Sequence, residues 1–151
     1  CEVYKMFLTI IAGVTIFVIG QFILKLILEP IVGLKETLGE VSSLFLREQS
    51  GFINDNVNKD VQNEVIRLSS MILAKKQAIL LYSVFAKILR MPSESNLIEG
   101  CRSLNLISYL VIKNSSDTLQ RKSHTREIYE EMKLVSKHLK IHITYSERIE
   151  T

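Results

Sequence analysis

A long apolar segment near the N-terminus is the strongest pattern in this chain. From Met6 to Leu24 no residue is charged, which gives a run of 19 residues. A helix of that length would be about 28 Å long, close to the ~30 Å hydrocarbon core of a bilayer. The pattern therefore predicts a transmembrane helix within residues 1–30. Two alternatives are weaker, because a buried core helix seldom runs uncharged so far and a cleaved signal peptide needs a basic start and a small-residue cleavage site.

After Pro30, which is expected to kink or restart the helix, the apolar residues recur at the spacing of amphipathic helices. The first of these helices is expected to bury Leu34, Leu38, Val41 and Phe45. Gly51 is expected to end it, and residues 51–60 to form a turn-rich loop.

A longer helix is predicted from an N-cap at Asp60 to Met91, just before Pro92. Its apolar positions are Val61, Val65, Leu68, Ile72, Ile79, Tyr82, Val84 and Phe85. Residues 78–89, AILLYSVFAKIL, are apolar almost all round and are therefore expected to be central in the bundle. A second membrane span here is disfavoured, because Lys75 and Lys87 leave too short an uncharged run between them.

Two further helices complete the predicted bundle. One begins at a Ser93 or Ser95 cap, and its buried face is expected to contain Leu97, Cys101, Leu104, Ile107 or Ser108, and Val111. Cys101 is therefore expected to be a small core residue and not a nucleophile. The last helix, from near Asp117 to about Lys140, is expected to bury Ile128, Met132, Val135 and Leu139. The predicted fold is all-α: an N-terminal transmembrane helix (1–30) followed by a cytosolic bundle of about four helices (31–151).

Composition excludes several classes of protein. Two Cys are too few for a disulfide scaffold or for a zinc site of their own, and the three His have no ligand spacing with them, so neither a metal nor a cofactor is expected. The mean hydropathy of +0.19 comes largely from the first segment. The net charge of +3 resides in residues 118–140, which hold six basic and three acidic groups. That segment is either a solvated helix face or a surface for RNA or an acidic partner.

The predicted transmembrane helix has a face of small residues. Thr9, Gly13 and Gly20 lie on it, and small residues allow helices to approach closely in lipid. Gln21 and Lys25 lie on a neighbouring stripe, either at the interface or near the axis shared by several copies of the helix. The pattern predicts a homo-oligomer in the bilayer. Because lysines follow the segment, the N-terminus is expected outside and the C-terminal domain in the cytoplasm of a bacterium.

One local cluster could carry chemistry. In residues 121–126, RKSHTR, a histidine lies between arginines. Such a group could act on a phosphodiester, with His124 as general acid or base and Arg121 and Arg126 stabilising charge on the phosphate. Exposed residues on a solvated helix are the simpler interpretation.

Several short segments carry a resemblance to a known family. They are Gly20 to Ile31, the Gly39-Glu40 pair, Ile66 to Ala74, Tyr82, Pro92, and Leu106 to Val111. Through them the chain resembles the small membrane accessory proteins of type VI-B CRISPR antiphage systems, which work beside an RNA-guided RNase. The resemblance implies a divergent HEPN-like helical domain and a ring-shaped oligomer that forms a membrane pore. HEPN ribonucleases have an Arg, four to six residues and then a His, whereas only two residues separate Arg121 from His124. A degenerate nuclease centre is therefore expected, and an enzyme is disfavoured.

These observations favour one function and leave two alternatives. The favoured one is an oligomeric bacterial inner-membrane protein that forms or gates a pore in antiphage defence and takes no small-molecule substrate. The first alternative is a membrane-tethered HEPN-like ribonuclease. The second is a membrane anchor or adaptor that recruits an RNA-guided nuclease or RNA through helix 118–140.

Overall fold

The computed structural model describes residues 2–54, 57–114 and 121–145, and within these ranges all regular secondary structure is helical. The elements are α1 (Glu2–Ile23), a π-helical turn (Leu24–Leu28), α2 (Glu29–Arg47), α3 (Gln49–Asn54), α4 (Lys59–Gln77), α5 (Tyr82–Ile88), α6 (Glu94–Asn114) and α7 (Arg121–Leu139). The predicted all-α class is confirmed.

The first three elements form one continuous helix of 46 residues, Glu2–Arg47. Pro30 was expected to kink or restart the helix. The helix does not restart there, because it runs through the proline. A proline lacks an N–H group, and its ring collides with the carbonyl four residues earlier, here that of Leu26. The π-helical turn relieves this conflict just before the proline, where the Glu29 N–H bonds to the Leu24 carbonyl with the wider i→i+5 spacing.

The core lies between α2, α4, α6 and α7. Most side chains that periodicity assigned to it are buried: Leu34, Leu38, Val41 and Phe45 on α2, Val65, Leu68 and Ile72 on α4, Leu97, Cys101, Leu104, Ile107, Ser108 and Val111 on α6, and Ile128, Met132, Val135 and Leu139 on α7. Val61, the first member of the predicted stripe on α4, is only partly buried. Phe45 also stacks on Phe52, with ring centroids 4.8 Å apart. The helical stripes thus identified the core-facing side of each long helix.

Helices α6 and α7 approach each other closely at Gly100. A Cβ atom added there would lie only 2.6 Å from Cγ of Leu139, which is itself buried. A glycine is therefore required at this position for close packing and not for its backbone freedom. Beyond α7 the chain remains on the bundle, since Ile143 is buried and the Ser42 hydroxyl donates to the His142 carbonyl.

Two predicted boundaries were wrong. Gly51 does not end a helix, because α2 ends at Arg47 and Gly51 lies inside α3, whose Phe52 is buried. The N-cap of α4 is Asn58 and not Asp60, and its side chain accepts a hydrogen bond from the Asp60 N–H. An asparagine in extended conformation caps the helix two residues earlier in the same way that an aspartate would. The start predicted near Asp117 lies outside the described residues.

The largest correction concerns residues 78–91, which were expected to continue a helix through the centre of the bundle. Instead α4 ends at Gln77, Leu81 takes a left-handed conformation with φ of 55°, and the short helix α5 follows. Only one face of this segment is covered, because the chain turns at the end of the bundle. Ile79, Tyr82 and Ala86 are buried, whereas Leu80, Leu81, Val84, Ile88 and Leu89 are exposed.

Candidate functional site

Helix α1 carries no buried residue along its whole length. Its side chains are large and apolar, and Ile16 and Phe17 are 71% and 66% exposed. Within the described residues, Glu2–Arg47 is the one helix long and apolar enough to cross a membrane, by length and composition alone. A signal sequence near an N-terminus would meet the same criterion. An exposed apolar surface of this size marks a site of contact with lipid or protein.

The predicted small-residue face is open along α1. No atom lies within 4 Å of a Cβ added at Gly13 or at Gly20. Thr9 turns its hydroxyl back onto the Lys5 carbonyl at 3.0 Å, and Thr15 does the same to Ile11 at 2.8 Å. These hydroxyl groups are thereby hydrogen-bonded inside the helix, which lowers the free-energy cost of placing them in an apolar environment.

The polar stripe beside that face is also exposed. Gln21 lies in the last turn of α1, and Lys25 lies in the π-helical turn that follows. Ile27 is the first side chain that packs partly against the bundle core, and Ile31 is the first that is buried. The helix thus changes from fully exposed to docked within about one turn, just after Lys25.

The predicted basic cluster is only partly described. The backbones of Arg121 and His124 belong to α7, but their side chains lie outside the described residues, as do residues 118–120. Arg126 is exposed. Further along α7, Lys133 lies 3.8 Å from Glu130 and 4.6 Å from the centroid of the Tyr129 ring. The described part of this helix therefore presents mixed charges.

The other histidines have structural contacts. His138 Nδ1 lies 3.4 Å from Oδ1 of Asn96, between α7 and α6. His142 is exposed, and its carbonyl is held by Ser42. Among the side chains that the structure describes, which do not include that of His124, no three His, Cys, Asp or Glu are grouped as metal ligands would be.

Cys101 is a core residue, as the sequence predicted. It is 2% exposed, and burial raises the pKa of its thiol. Its Sγ donates to the Ser69 carbonyl at 3.6 Å, while the Ser69 hydroxyl donates to the Cys101 carbonyl at 3.3 Å. This reciprocal pair joins α4 to α6. A thiol with a raised pKa in such a place is a poor nucleophile.

Two polar contacts between α2 and α4 were not predicted. Arg67 on α4 binds Glu64 through two hydrogen bonds of 2.6 and 2.8 Å and reaches Glu40 on α2 at 3.3 Å. The hydrogen bond from Arg67 lowers the pKa of Glu64. Lys75 on α4 donates to the Gly33 carbonyl on α2 at 2.9 Å. The i,i+3 spacing of Glu64 and Arg67 was visible in the sequence, but the partners on α2 were not.

Comparisons of the chain with protein-family models, with curated proteins and with solved structures gave no match.

Proposed function

We propose that this protein is a single-pass bacterial inner-membrane protein that assembles through α1 into an oligomer that forms or gates a pore, as an accessory effector in antiphage defence. The observation that carries the proposal is the contrast within one helix: residues 2–30 bury nothing, while the same helix is docked from Ile31 onward. An apolar helix surface of this extent is stable only in lipid or against other apolar helices.

Assembly is supported by the open face of α1. Its backbone is accessible at Gly13 and Gly20, where a neighbouring helix could approach closely. Gln21 and Lys25 are exposed on the adjoining stripe, and polar groups at membrane depth face protein or water and not lipid. An arrangement of several copies around an axis satisfies both requirements, because it buries the small residues between helices and turns the polar ones toward a lumen.

The orientation follows from the charges that continue beyond the exposed segment. Lys25 and Lys35 lie on its C-terminal side, and Lys75 is held against Gly33 at the same end of the bundle. Basic groups remain on the cytoplasmic side of a membrane helix. The bundle is therefore cytoplasmic and the N-terminus is outside.

The test is reconstitution of the full chain in vesicles, with oligomer size measured by mass photometry and ion flux measured under an applied potential. Thr9→Leu and Thr15→Leu form a matched pair, because both residues are exposed and both hydroxyls bond to the carbonyl four residues earlier. Thr15 lies roughly 160° around the helix from Gly13, at about 100° per residue. Thr9→Leu is expected to reduce both assembly and flux, and Thr15→Leu neither.

A closed, low-order dimer without ion flux would overturn the pore proposal. Equal effects of the two threonine substitutions would overturn the assignment of the packing face. Failure of the wild-type chain to enter the bilayer would overturn the membrane span itself.

A further inference from the structure

The apolar surface of α5 is exposed although the helix belongs to the bundle. Tyr82 and Ala86 hold one face of α5 on the core. The opposite face and the preceding turn carry Leu81 and Ile88, which are 72% and 67% exposed, together with Leu80 and Val84. Leu81 has a positive φ, which is strained for a leucine, and its large apolar side chain is exposed in this turn.

Two contacts fix the end of the bundle to which α5 belongs. Arg67 meets Glu40, and eight residues later Lys75 meets Gly33. Since the residue numbers rise along α4 while they fall along α2, the two helices are antiparallel. The C-terminus of α4 is therefore directed toward Ile31, the residue at which the exposed segment of the long helix meets the bundle. The turn at residues 78–81 and α5 follow immediately, so their exposed leucines lie at this same end.

Several basic side chains belong to the same end of the bundle as this apolar surface. Lys87 and Arg90 are exposed beside it, and Lys35 lies on the first turns of α2. Lys76 is half-buried and forms an ion pair with Glu94. Among the described residues of this end, the acidic groups Glu29, Glu36 and Glu94 are fewer than the basic ones, among which Lys75 is held on the Gly33 carbonyl. Apolar side chains with a basic rim are typical of segments that lie in the interface of an anionic membrane.

We propose that residues 79–90 form a second membrane contact, in which the exposed face of α5 lies in the cytoplasmic interface of the same anionic bilayer that α1 crosses. The inference rests on the proposed membrane insertion of α1, because that insertion sets the plane in which α5 lies. The occupant is lipid and not a protein, since the surface adjoins the membrane end of the long helix and its rim is basic. The bundle is then fixed to the membrane at two points, which limits its rotation about α1.

The test uses the full chain with Cys1→Ser and Cys101→Ser, so that single cysteines can carry an environment-sensitive fluorophore. Labels are placed by Leu81→Cys on the proposed contact, by Ile16→Cys in the middle of α1, and by Tyr109→Cys on the exposed face of α6. Vesicles contain phosphatidylglycerol and lipids brominated either near the headgroup or deep in the acyl chain.

The label at position 81 is expected to be quenched several-fold more than that at 109, and most strongly by shallow bromines. The label at 16 is expected to be quenched most by deep bromines. Lys87→Glu combined with Arg90→Glu should reduce quenching at 81 in these vesicles while leaving it unchanged at 16. Helical circular dichroism of each variant shows that the bundle has folded.

The possible failures are distinguishable. If the label at 16 escapes quenching, the proposed membrane span is wrong. If the label at position 16 is quenched but the label at 81 is quenched no more than the label at 109, the membrane span stands and the second contact is overturned. Shielding of 81 that depends on protein concentration and not on the depth of the bromines would assign this surface to a second copy of the chain and overturn the lipid contact.

Discussion

The two halves of the helix Glu2–Arg47 differ in what surrounds them and not in their backbone. In α1 large apolar side chains cover most of the helix surface around the small-residue face and none is buried, whereas the apolar residues of α2 lie mainly on one face and that face is buried. Since backbone hydrogen bonds are satisfied within a helix in any solvent, they do not distinguish the halves. The two halves are distinguished by the distribution of their apolar side chains. The pattern of α1, with apolar residues on most sides, suits a bilayer, and the one-sided pattern of α2 suits a bundle.

The largest expected effect comes from the same substitution made in each half. Phe45→Ala removes a fully buried ring that stacks on Phe52, and Phe17→Ala removes an exposed one. We expect Phe45→Ala to lower the free energy of unfolding of the bundle by about 3–5 kcal/mol, the usual cost of such a core truncation. Phe17→Ala should leave it unchanged. Denaturant titration of both variants in detergent, followed by circular dichroism, measures the difference, and equal losses would mean that α1 is part of the folded core.

Glycine substitutions give the next largest contrast. Gly100→Ala is expected to destabilise the bundle by roughly 1–3 kcal/mol, because its Cβ would overlap buried Leu139. Gly13→Ala meets no neighbour and should not change bundle stability. Thermal unfolding of the two variants beside the wild type provides the measurement. A stable Gly100→Ala variant would show that α7 can shift away from α6 at little cost.

A smaller effect is expected at Tyr82, where the bundle meets the proposed membrane surface. Its hydroxyl donates to the Pro92 carbonyl at 2.5 Å, and Tyr82→Phe should cost about 1 kcal/mol by leaving that carbonyl without its partner. Desolvation, with a contribution from nearby Glu94, raises the pKa of Tyr82 to about 12.

The raised pKa of Tyr82 also gives stability a pH dependence of known sign. The neutral phenol is favoured in the folded chain, so its contribution is complete below about pH 10 and is lost as pH rises toward 12. Unfolding midpoints measured across this range should fall less steeply for Tyr82→Phe than for wild type. Tyr109→Phe, at an exposed position, should reproduce the wild-type slope. If the unfolding midpoint fell equally with pH in the wild type and both variants, the pH dependence would not come from Tyr82.

The smallest effect is expected from the exposed pair of Glu64 and Arg67. Since Arg67 lowers the pKa of Glu64, the pair stabilises the fold above the ordinary carboxyl pKa, and this contribution is lost as pH falls through the lowered value. Glu64→Gln should therefore lower the unfolding midpoint slightly at neutral pH and leave it unchanged in acid. Screening keeps the effect of such a surface pair small, and it should decrease further in high salt. A larger loss than that of Tyr82→Phe would mean that the contact between α2 and α4 depends on this charge pair.

Periodicity was sufficient for the long helices and insufficient for residues 78–91. On α2 the buried set Leu34, Leu38, Val41 and Phe45 agrees with the predicted stripe, because one-sided apolar patterns have one stable arrangement in a bundle. AILLYSVFAKIL has no polar side, so its pattern fits a central helix and a surface next to lipid equally well. The break at Leu81 carries no glycine or proline signal, and it became visible only from the backbone.

Some features of the candidate sites were likewise predictable from local spacing, and others depend on contacts between distant residues. The open face around Gly13 and Gly20 follows from spacing alone, since it needs only the geometry of one helix. The contacts of Lys75 with Gly33 and of Arg67 with Glu40 join residues 42 and 27 positions apart, and no local pattern relates them. The catalytic role suggested by the sequence for Arg121, His124 and Arg126 stays a prediction.

The sequence by itself determined that the chain is helical, where its long apolar segment lies and which side of each amphipathic helix faces the core, because these properties depend on side-chain period and local composition. Only the tertiary structure decided that α1 and α2 are one continuous helix across Pro30. It also decided that α4 returns antiparallel to α2, and that the apolar residues of α5 lie exposed at the end of the bundle where the long helix leaves it, near Ile31. The continuity across Pro30 depends on the π-helical turn before it, which no side-chain pattern predicts. The other two features arise from the way in which distant segments pack together, and that arrangement is a property of the whole bundle.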